Sequence, residues 1–207
     1  MIDTFLVSGE AKWNVKNGLV VLLPHGYDGQ GPEHSSARVE RFLQLSDASD
    51  EFPSDDLLER QIMERTNITV ANCTTAAQYF HLLRSQIRRD FRKPLIVMAP
   101  KKLLKYRGAN SDIEDFGEGL RFKRVLGDMN KNLVAPEKVR RVILCSGQVY
   151  YDLEGARVAN GHNDVAIVRV EQMAPFPFRS VHEETKKYKN ADILWAQEEP
   201  KNAGGWQ

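Results

Sequence analysis

Ile68-Thr69-Val70-Ala71, the stretch from Thr74 to Ile87, and Pro94-Leu95-Ile96-Val97-Met98 follow one another and decide the fold. The outer two are short, apolar, β-branched runs of strand length. Between them, Thr74 or Thr75 can cap a helix by accepting a free backbone N–H. Ala76, Tyr79, Phe80, Leu83 and Ile87 then recur at spacings of three and four, which makes one apolar stripe. Pro94 disfavours helix in the residue before it and marks where the next strand starts. Strand, helix, strand in this order reads as a parallel pair joined by a right-handed crossover.

The same alternation extends in both directions. Leu19-Val20-Val21-Leu22-Leu23 is apolar throughout, the pattern of a strand covered on both faces. Val142-Ile143-Leu144-Cys145, Val165-Ala166-Ile167-Val168 and Ile193-Leu194-Trp195 are further strands, with helices expected over Gln148 to Asn160 and Ser180 to Lys189. The fold class is therefore α/β, built on parallel sheets with flanking helices. The rhythm breaks between about Lys105 and Val139, a stretch with Gly108, Gly117, Gly119, Gly127 and Pro136, and a domain boundary is expected near its start. A second break, Ser46 to Arg65, is rich in acids, Asp55 and Asp56 among them. It reads as a surface insertion with a short helix around Leu57 to Met63.

Composition narrows the function classes. The 207 residues carry 29 Lys and Arg against 28 Asp and Glu, a net charge of +1, so bulk charge gives no case for nucleic-acid binding. No apolar run approaches the roughly 20 residues that span a bilayer. Cys73 and Cys145 are too few for a disulfide framework or a cysteine-based zinc site, which fits a reducing compartment. Met1 to Glu10 hold two acids, Asp3 and Glu10, and no base, unlike a targeting peptide. Both ends read as cut: apolar sequence starts at once, and Gly204-Gly205-Trp206-Gln207 reads as a turn into more structure. A parallel sheet deprived of leading strands would expose an edge, so proteolysis is expected before about Lys105 first.

Chemistry concentrates in Leu23-Pro24-His25-Gly26-Tyr27-Asp28-Gly29-Gln30-Gly31-Pro32-Glu33-His34-Ser35-Ser36-Ala37-Arg38. It follows a strand and precedes a helix on Val39, Phe42 and Leu43, which places it at the carboxyl edge of a parallel sheet, where α/β folds bind ligands. His25 and His34 can hydrogen-bond or protonate a substrate oxygen near neutral pH. Ser35 and Ser36 are expected at a helix start, where free amides favour an anion. The alternative is a tight structural turn with one capping histidine. His81, beside Phe80, reads as a core or boundary residue, and His162 and His182 as solvated. No histidine pair has metal-ligand spacing, and Gly127-Asp128-Met129-Asn130 reads as a loop despite a faint likeness to a metal–diphosphate motif. From Arg84 to Arg107 there are nine bases (Arg84, Arg88, Arg89, Arg92, Lys93, Lys101, Lys102, Lys105, Arg107) and one acid, Asp90, a local balance of +8. Such a run is usually a solvated face, with a site for a phosphate-bearing effector near Lys101, Lys102 and Arg107 as the sharper reading.

The loop closely resembles the signature loop of the first component of the 2-oxoglutarate dehydrogenase complex. Gly9-Glu10-Ala11-Lys12-Trp13, Lys93-Pro94-Leu95-Ile96-Val97 with Pro100-Lys101, Cys145-Ser146-Gly147-Gln148-Val149-Tyr150-Tyr151-Asp152-Leu153, Val168-Arg169-Val170-Glu171-Gln172 and Gln197-Glu198-Glu199-Pro200 agree in order. The likeness covers nearly the whole chain. The Ser46 to Arg65 insertion resembles the longer loop of mitochondrial members, and Lys102 stands where the family commonly has Ser.

The resemblance implies a transketolase-like arrangement: residues 1–105 as the second half of a pyrimidine-binding domain, and residues 112–207 as a carboxyl-terminal domain truncated at its end. It implies thiamine diphosphate and magnesium, held mainly by a part upstream of Met1, since the family's Gly-Asp-Gly motif with its downstream Asn is absent. His34 would orient or protonate the 2-oxo acid, His25 would assist, Ser35 would help bind substrate, and no protein metal site is expected here. The implied reaction decarboxylates 2-oxoglutarate and succinylates a lipoyl group in the tricarboxylic acid cycle. Its implied partners are a second copy as homodimer, dihydrolipoyl succinyltransferase and dihydrolipoyl dehydrogenase, in the mitochondrial matrix or, in a bacterium, the cytoplasm. The 207 residues alone are expected to be inactive. Rival expectations are a 2-oxoadipate dehydrogenase of the same mechanism and a non-catalytic truncated paralogue; one methylene of substrate is worth only about 1–3 kcal/mol, so the sequence leaves the first open.

Overall fold

The computed structural model describes residues 1–28, 31–54 and 57–206. Gly29 and Gln30 of the loop, the acids Asp55 and Asp56, and Gln207 lie outside the described residues. A π-helical turn, Ile2–Val7, leads into helix α1 (Gly9–Trp13), strand β1 (Val20–Leu23) and the short helices α2 (Pro32–Ser35), α3 (Val39–Leu45) and α4 (Glu59–Arg65). Strand β2 (Thr69–Asn72), helix α5 (Ala76–Arg88) and strand β3 (Leu95–Met98) follow. After several 3-10 turns come β4 (Val125–Leu126), β5 (Arg141–Cys145), α6 (Val149–Asn160), β6 (Val165–Val170), β7 (Gln172–Ala174), α7 (Phe178–Thr185) and β8 (Asp192–Ala196).

These strands form two four-stranded sheets, ordered β1-β3-β2-β7 and β4-β6-β5-β8. In the first, β3 runs parallel between β1 and β2, with Ile96 opposite both Val21 and Val70. Side chains alternate across it as the pleat requires. Ile96 and Met98 pack with Val39 and Phe42 of α3 on one face, and Leu95 and Val97 pack with Leu82 of α5 on the other. All four β3 residues are essentially water-free, each burial contributing about 1.5–3 kcal/mol. The second sheet repeats the plan, with Cys145 and Ile167 facing Tyr150 and Tyr151 of α6, and Val142, Ala166 and Val168 facing Val139 and Tyr188.

Four findings differ from the sequence reading. Strand β1 is an edge strand, so Leu19 and Leu22 remain about half exposed instead of covered on both faces. Each sheet also carries one antiparallel strand too short to show in the sequence: β4 beside β6, and β7 beside β2. Helix α5 is capped by Thr75, whose Oγ1 accepts from the Gln78 N–H at 3.3 Å, but its buried face is Ala77, Gln78, His81, Leu82 and Gln86, while Phe80 and Ile87 are exposed. The reason is hydrogen bonding: Gln78 Nε2 donates to the Lys123 carbonyl, His81 Nε2 to that of Asp115 and Gln86 Nε2 to that of Lys93. Finally, the acidic insertion is docked, not free. Arg179 donates to the carbonyls of Ser54 and Leu57, Glu59 pairs with Arg124, and Met63 is buried.

The two sheets meet at their carboxyl edges. Gly147, with φ of +75°, turns just after β5, and a Cβ there would lie 2.3 Å from Asn72 Nδ2 at the end of β2. Beneath this contact, Glu171 is fully buried and accepts from the Thr74 N–H at 2.9 Å and from its hydroxyl. Arg169 donates to Thr74 Oγ1 at 3.0 Å and stacks 4.2 Å over the Tyr150 ring, and the Tyr151 hydroxyl donates to the Thr74 carbonyl at 2.6 Å. Burial raises the Glu171 carboxyl above its ordinary range, while the Arg169 guanidinium pulls it back. The same desolvation pushes the Cys145 thiol up to about 12 and Cys73 well above its usual value, which leaves both thiols protonated and unreactive near neutrality.

Candidate active site

The β1–β3 pairing sets out the site. Leu23 lies opposite Met98, and the Ala99 N–H donates to the Leu23 carbonyl at 2.8 Å, so the loop after β1 and the 3-10 turn after β3 (Lys101–Leu104) emerge side by side. The Gly26 N–H donates to the Ser35 carbonyl at 3.0 Å and closes the neck of the loop. His25 and His34 each adjoin one end of that bond, so the fold brings the two ends of the motif together.

Their surroundings differ. His25 is 1% exposed. Its Nδ1 accepts from the Ala37 N–H at 3.1 Å, and its Nε2 lies 2.7 Å from Glu199 Oε1. A nitrogen that accepts from an amide carries no proton, so the ring proton sits on Nε2 and donates to the carboxylate. Both ring nitrogens are thereby engaged. His34 sits on α2 with its side chain 39% exposed. Lys101 Nζ lies 3.0 Å from its Nδ1, and among the described residues its Nε2 reaches only the largely exposed Glu33 carboxylate at 3.4 Å. His34 therefore has one nitrogen open to exchange its partner for a ligand.

The second sheet supplies the other wall. Glu198 and Glu199 lie two and three residues past the carboxyl end of β8, by the same edge logic that places the loop after β1. Glu198 Oε2 accepts from the Tyr27 N–H at 2.9 Å and from Gln148 Nε2 at 3.0 Å. Gly26 lets Gln148 approach: a Cβ at that position would be 2.7 Å from Gln148 Nε2. These contacts pin the loop from both sheets. Sequence reasoning recorded Gln148, Glu198 and Glu199 only inside motifs, without a role; their position just past strand ends was the available signal.

Other expectations fare unevenly. Ser35 and Ser36 do not begin a helix: Ser35 ends the four-residue α2, Ser36 follows it, and Arg38 turns at φ of +54° before α3. The Ser35 hydroxyl donates to the Gly31 carbonyl at 2.6 Å, so its proton is committed within the loop. The basic run divides. Lys93 is buried against Glu10 at 2.6 Å, Lys101 meets His34, Lys102 lies 3.6 Å from Asp152, and Arg107 is exposed on a separate turn. Asp128 is almost fully buried, pairs with Arg157 and accepts from the N–H groups of Asn130 and Ile167, both at 2.6 Å, so it braces the second sheet. His81 is buried, and His162 and His182 are exposed.

The pattern of the transketolase pyrimidine binding domain matches residues 1–107, and that of the 2-oxoglutarate dehydrogenase C-terminal domain matches residues 110–207. The chain belongs to the transketolase-like 2-oxoglutarate dehydrogenase family. Over its whole length it is 50% identical, across 212 residues, to the mitochondrial 2-oxoglutarate dehydrogenase of Caenorhabditis elegans and covers 21% of that protein. The mitochondrial 2-oxoglutarate dehydrogenase of Dictyostelium discoideum is 48% identical across 208 residues, with all of this chain and 20% of the relative covered. The 2-oxoadipate dehydrogenase complex component E1 of Danio rerio is 50% identical across 209 residues, with all of this chain and 22% of the relative covered. The chain thus spans about a fifth of the length of the curated relatives it matches.

Thiamine diphosphate, which this family implies, needs oxygen donors for a divalent cation and its diphosphate. Among the described residues no group of three His, Cys, Asp or Glu side chains is placed to hold a metal ion, and Asp128 already has its partners. The described residues therefore do not supply a metal-holding set for that cofactor.

Proposed function

We propose that this chain supplies the substrate-side rim of the first component of a 2-oxoglutarate dehydrogenase complex. The reaction is thiamine diphosphate-dependent decarboxylation of 2-oxoglutarate, followed by succinyl transfer to a lipoyl group. Residues 1–105 act as the second half of the pyrimidine-binding domain and residues 112–207 as the carboxyl-terminal domain. The observation that carries the reading is the part-exposed His34 ring at the carboxyl edge of the first sheet, on a loop held by both sheets. This group orients the 2-oxo acid by donating to one of its oxygens and can transfer a proton to it. His25 has no free nitrogen, so its part is to hold the loop in place.

On this reading the working enzyme is a homodimer that hands its product to dihydrolipoyl succinyltransferase, with dihydrolipoyl dehydrogenase completing the cycle, in the mitochondrial matrix. Lys102 and Arg107 remain candidates for an effector phosphate. The 207 residues by themselves are predicted to have no turnover and no tight thiamine diphosphate binding. A second reading, 2-oxoadipate as substrate, is supported by the equal 50% identity to relatives of both names.

The test is a steady-state assay of the complete gene product with thiamine diphosphate and magnesium, supplied with each oxo acid in turn. A kcat/KM favouring 2-oxoglutarate by about tenfold or more is expected, the range one methylene allows. A preference for 2-oxoadipate establishes the second reading, and no decarboxylation of either overturns both. Measurable decarboxylation by the isolated 207 residues would overturn their predicted dependence on the remaining groups.

A further inference from the structure

We propose that Lys101 is a positioning residue that acts through His34, fixing which ring nitrogen faces the substrate. The proposal deepens the reading above and rests on it.

Lys101 opens the 3-10 turn after β3, and His34 lies in the loop after β1. They are far apart in sequence, and the parallel β1–β3 register brings them together. Lys101 Nζ sits 3.0 Å from His34 Nδ1. An ammonium group has three donors and no acceptor, so this bond requires an unprotonated Nδ1. The ring proton is then confined to Nε2, which lies 3.4 Å from the exposed Glu33 carboxylate. Without Lys101 the neutral ring could place its proton on either nitrogen and rotate about its χ2 torsion. A fraction of molecules would then present a bare acceptor toward the substrate oxygen, unable to donate.

Among the described residues no carboxylate forms an ion pair with Lys101. Lys102, its neighbour, turns to Asp152 of α6 at 3.6 Å. Glu33 lies by the opposite nitrogen of the ring. Lys101 therefore differs in role from the rest of the basic run, although the sequence gives no sign of it. The general pattern is familiar from metal sites and catalytic triads, where the partner of one imidazole nitrogen sets the state of the other. Here the partner is a cation that donates instead of a carboxylate that accepts, so the assigned tautomer is the opposite of a triad's.

Two measurements test this. In the complete gene product labelled with 15N-histidine, His34 is identified by its loss in His34→Ala. Its Nδ1 should show the shift of an unprotonated nitrogen, and Lys101→Gln should move it to a mixture. In the complete gene product with thiamine diphosphate, magnesium and 2-oxoglutarate, Lys101→Gln should lower kcat about tenfold, part of the range typical of acid–base assistance. KM should stay within about twofold. Lys101→Arg, which keeps a charged donor, should recover most of the loss. In a His34→Ala background, Lys101→Gln should add nothing, the mark of a residue that works through its partner.

The proposal is overturned if Lys101→Gln leaves both the His34 shift and kcat unchanged, or if it costs as much in the His34→Ala background as alone. A rise in KM at constant kcat also overturns it and makes Lys101 a direct ligand of the substrate carboxylate. If His34→Ala itself retains full activity, the functional reading fails, an outcome distinct from each of these.

Discussion

His25 and His34 are the same side chain at the two ends of one loop, yet the first is sealed in protein and the second stands at the rim. The difference comes from what each nitrogen meets. His25 is held by an amide of its own loop and by Glu199 of the second sheet, so moving its proton would break a buried contact. His34 has one nitrogen held by Lys101 and the other 3.4 Å from the exposed Glu33 carboxylate. A motif with two histidines therefore does not imply two proton carriers: on the proposed reading, burial gives one to architecture and one to chemistry.

This contrast is sharpest at its extremes. Replacing His34 with Ala should lower kcat of the complete gene product by about a hundredfold or more. The melting temperature should hardly move, because the side chain is partly solvated. Calorimetry beside the assay checks both. Replacing His25 with Ala should act mainly on stability. Leaving Glu199 buried without its partner costs about 3 kcal/mol, equivalent to a drop of roughly 6–12 °C in Tm for a chain of this size. If His25→Ala leaves Tm intact but abolishes turnover, the division of roles is wrong.

Smaller perturbations probe the clamp around the buried end. Gly26→Ala would push a Cβ against Gln148 and shift that side chain off Glu198, at a cost of about 1 kcal/mol. A chemical denaturation midpoint should report it. Glu199→Gln keeps an acceptor for the His25 Nε2–H but removes the charge, so it should cost less than His25→Ala by the same measurement. At the bottom of the scale, Lys102→Ala removes a long, exposed contact with Asp152 and should change stability by less than about 0.5 kcal/mol. Any larger effect would mean that the charge of this turn matters beyond Lys101.

The central strands could be read from sequence because burial on both faces demands continuous apolar runs, as at Leu95–Met98 and Val165–Val168. Very short elements, and those held by hydrogen bonds instead of by apolar area, escaped notice. Strands β4 and β7 are two and three residues long, and helix α5 buries glutamines and a histidine because distant carbonyls await them. The Leu19–Leu23 run misled in the opposite direction, since a fully apolar strand stands at an edge with Leu22 half exposed. At the site, the loop and both histidines were legible from glycine, proline and strand position. Their partners were not. Lys101, Gln148, Glu198 and Glu199 come from other strand ends, and only the sheet order brings them near.

Strand β7 has a consequence for how this polypeptide can be divided. Residues matching the first domain pattern end at 107, but the first sheet is finished by Gln172–Ala174, which lie against β2. Expressing residues 1–107 by themselves would strip β2 of that neighbour, leave Val70 and Ala71 bordering water, and remove Glu171 from beneath Thr74. The two segments are thus separable on paper but not as folding cargo. Any gene fusion or recombination that exchanges one for a foreign counterpart must carry the three-residue stitch along with it.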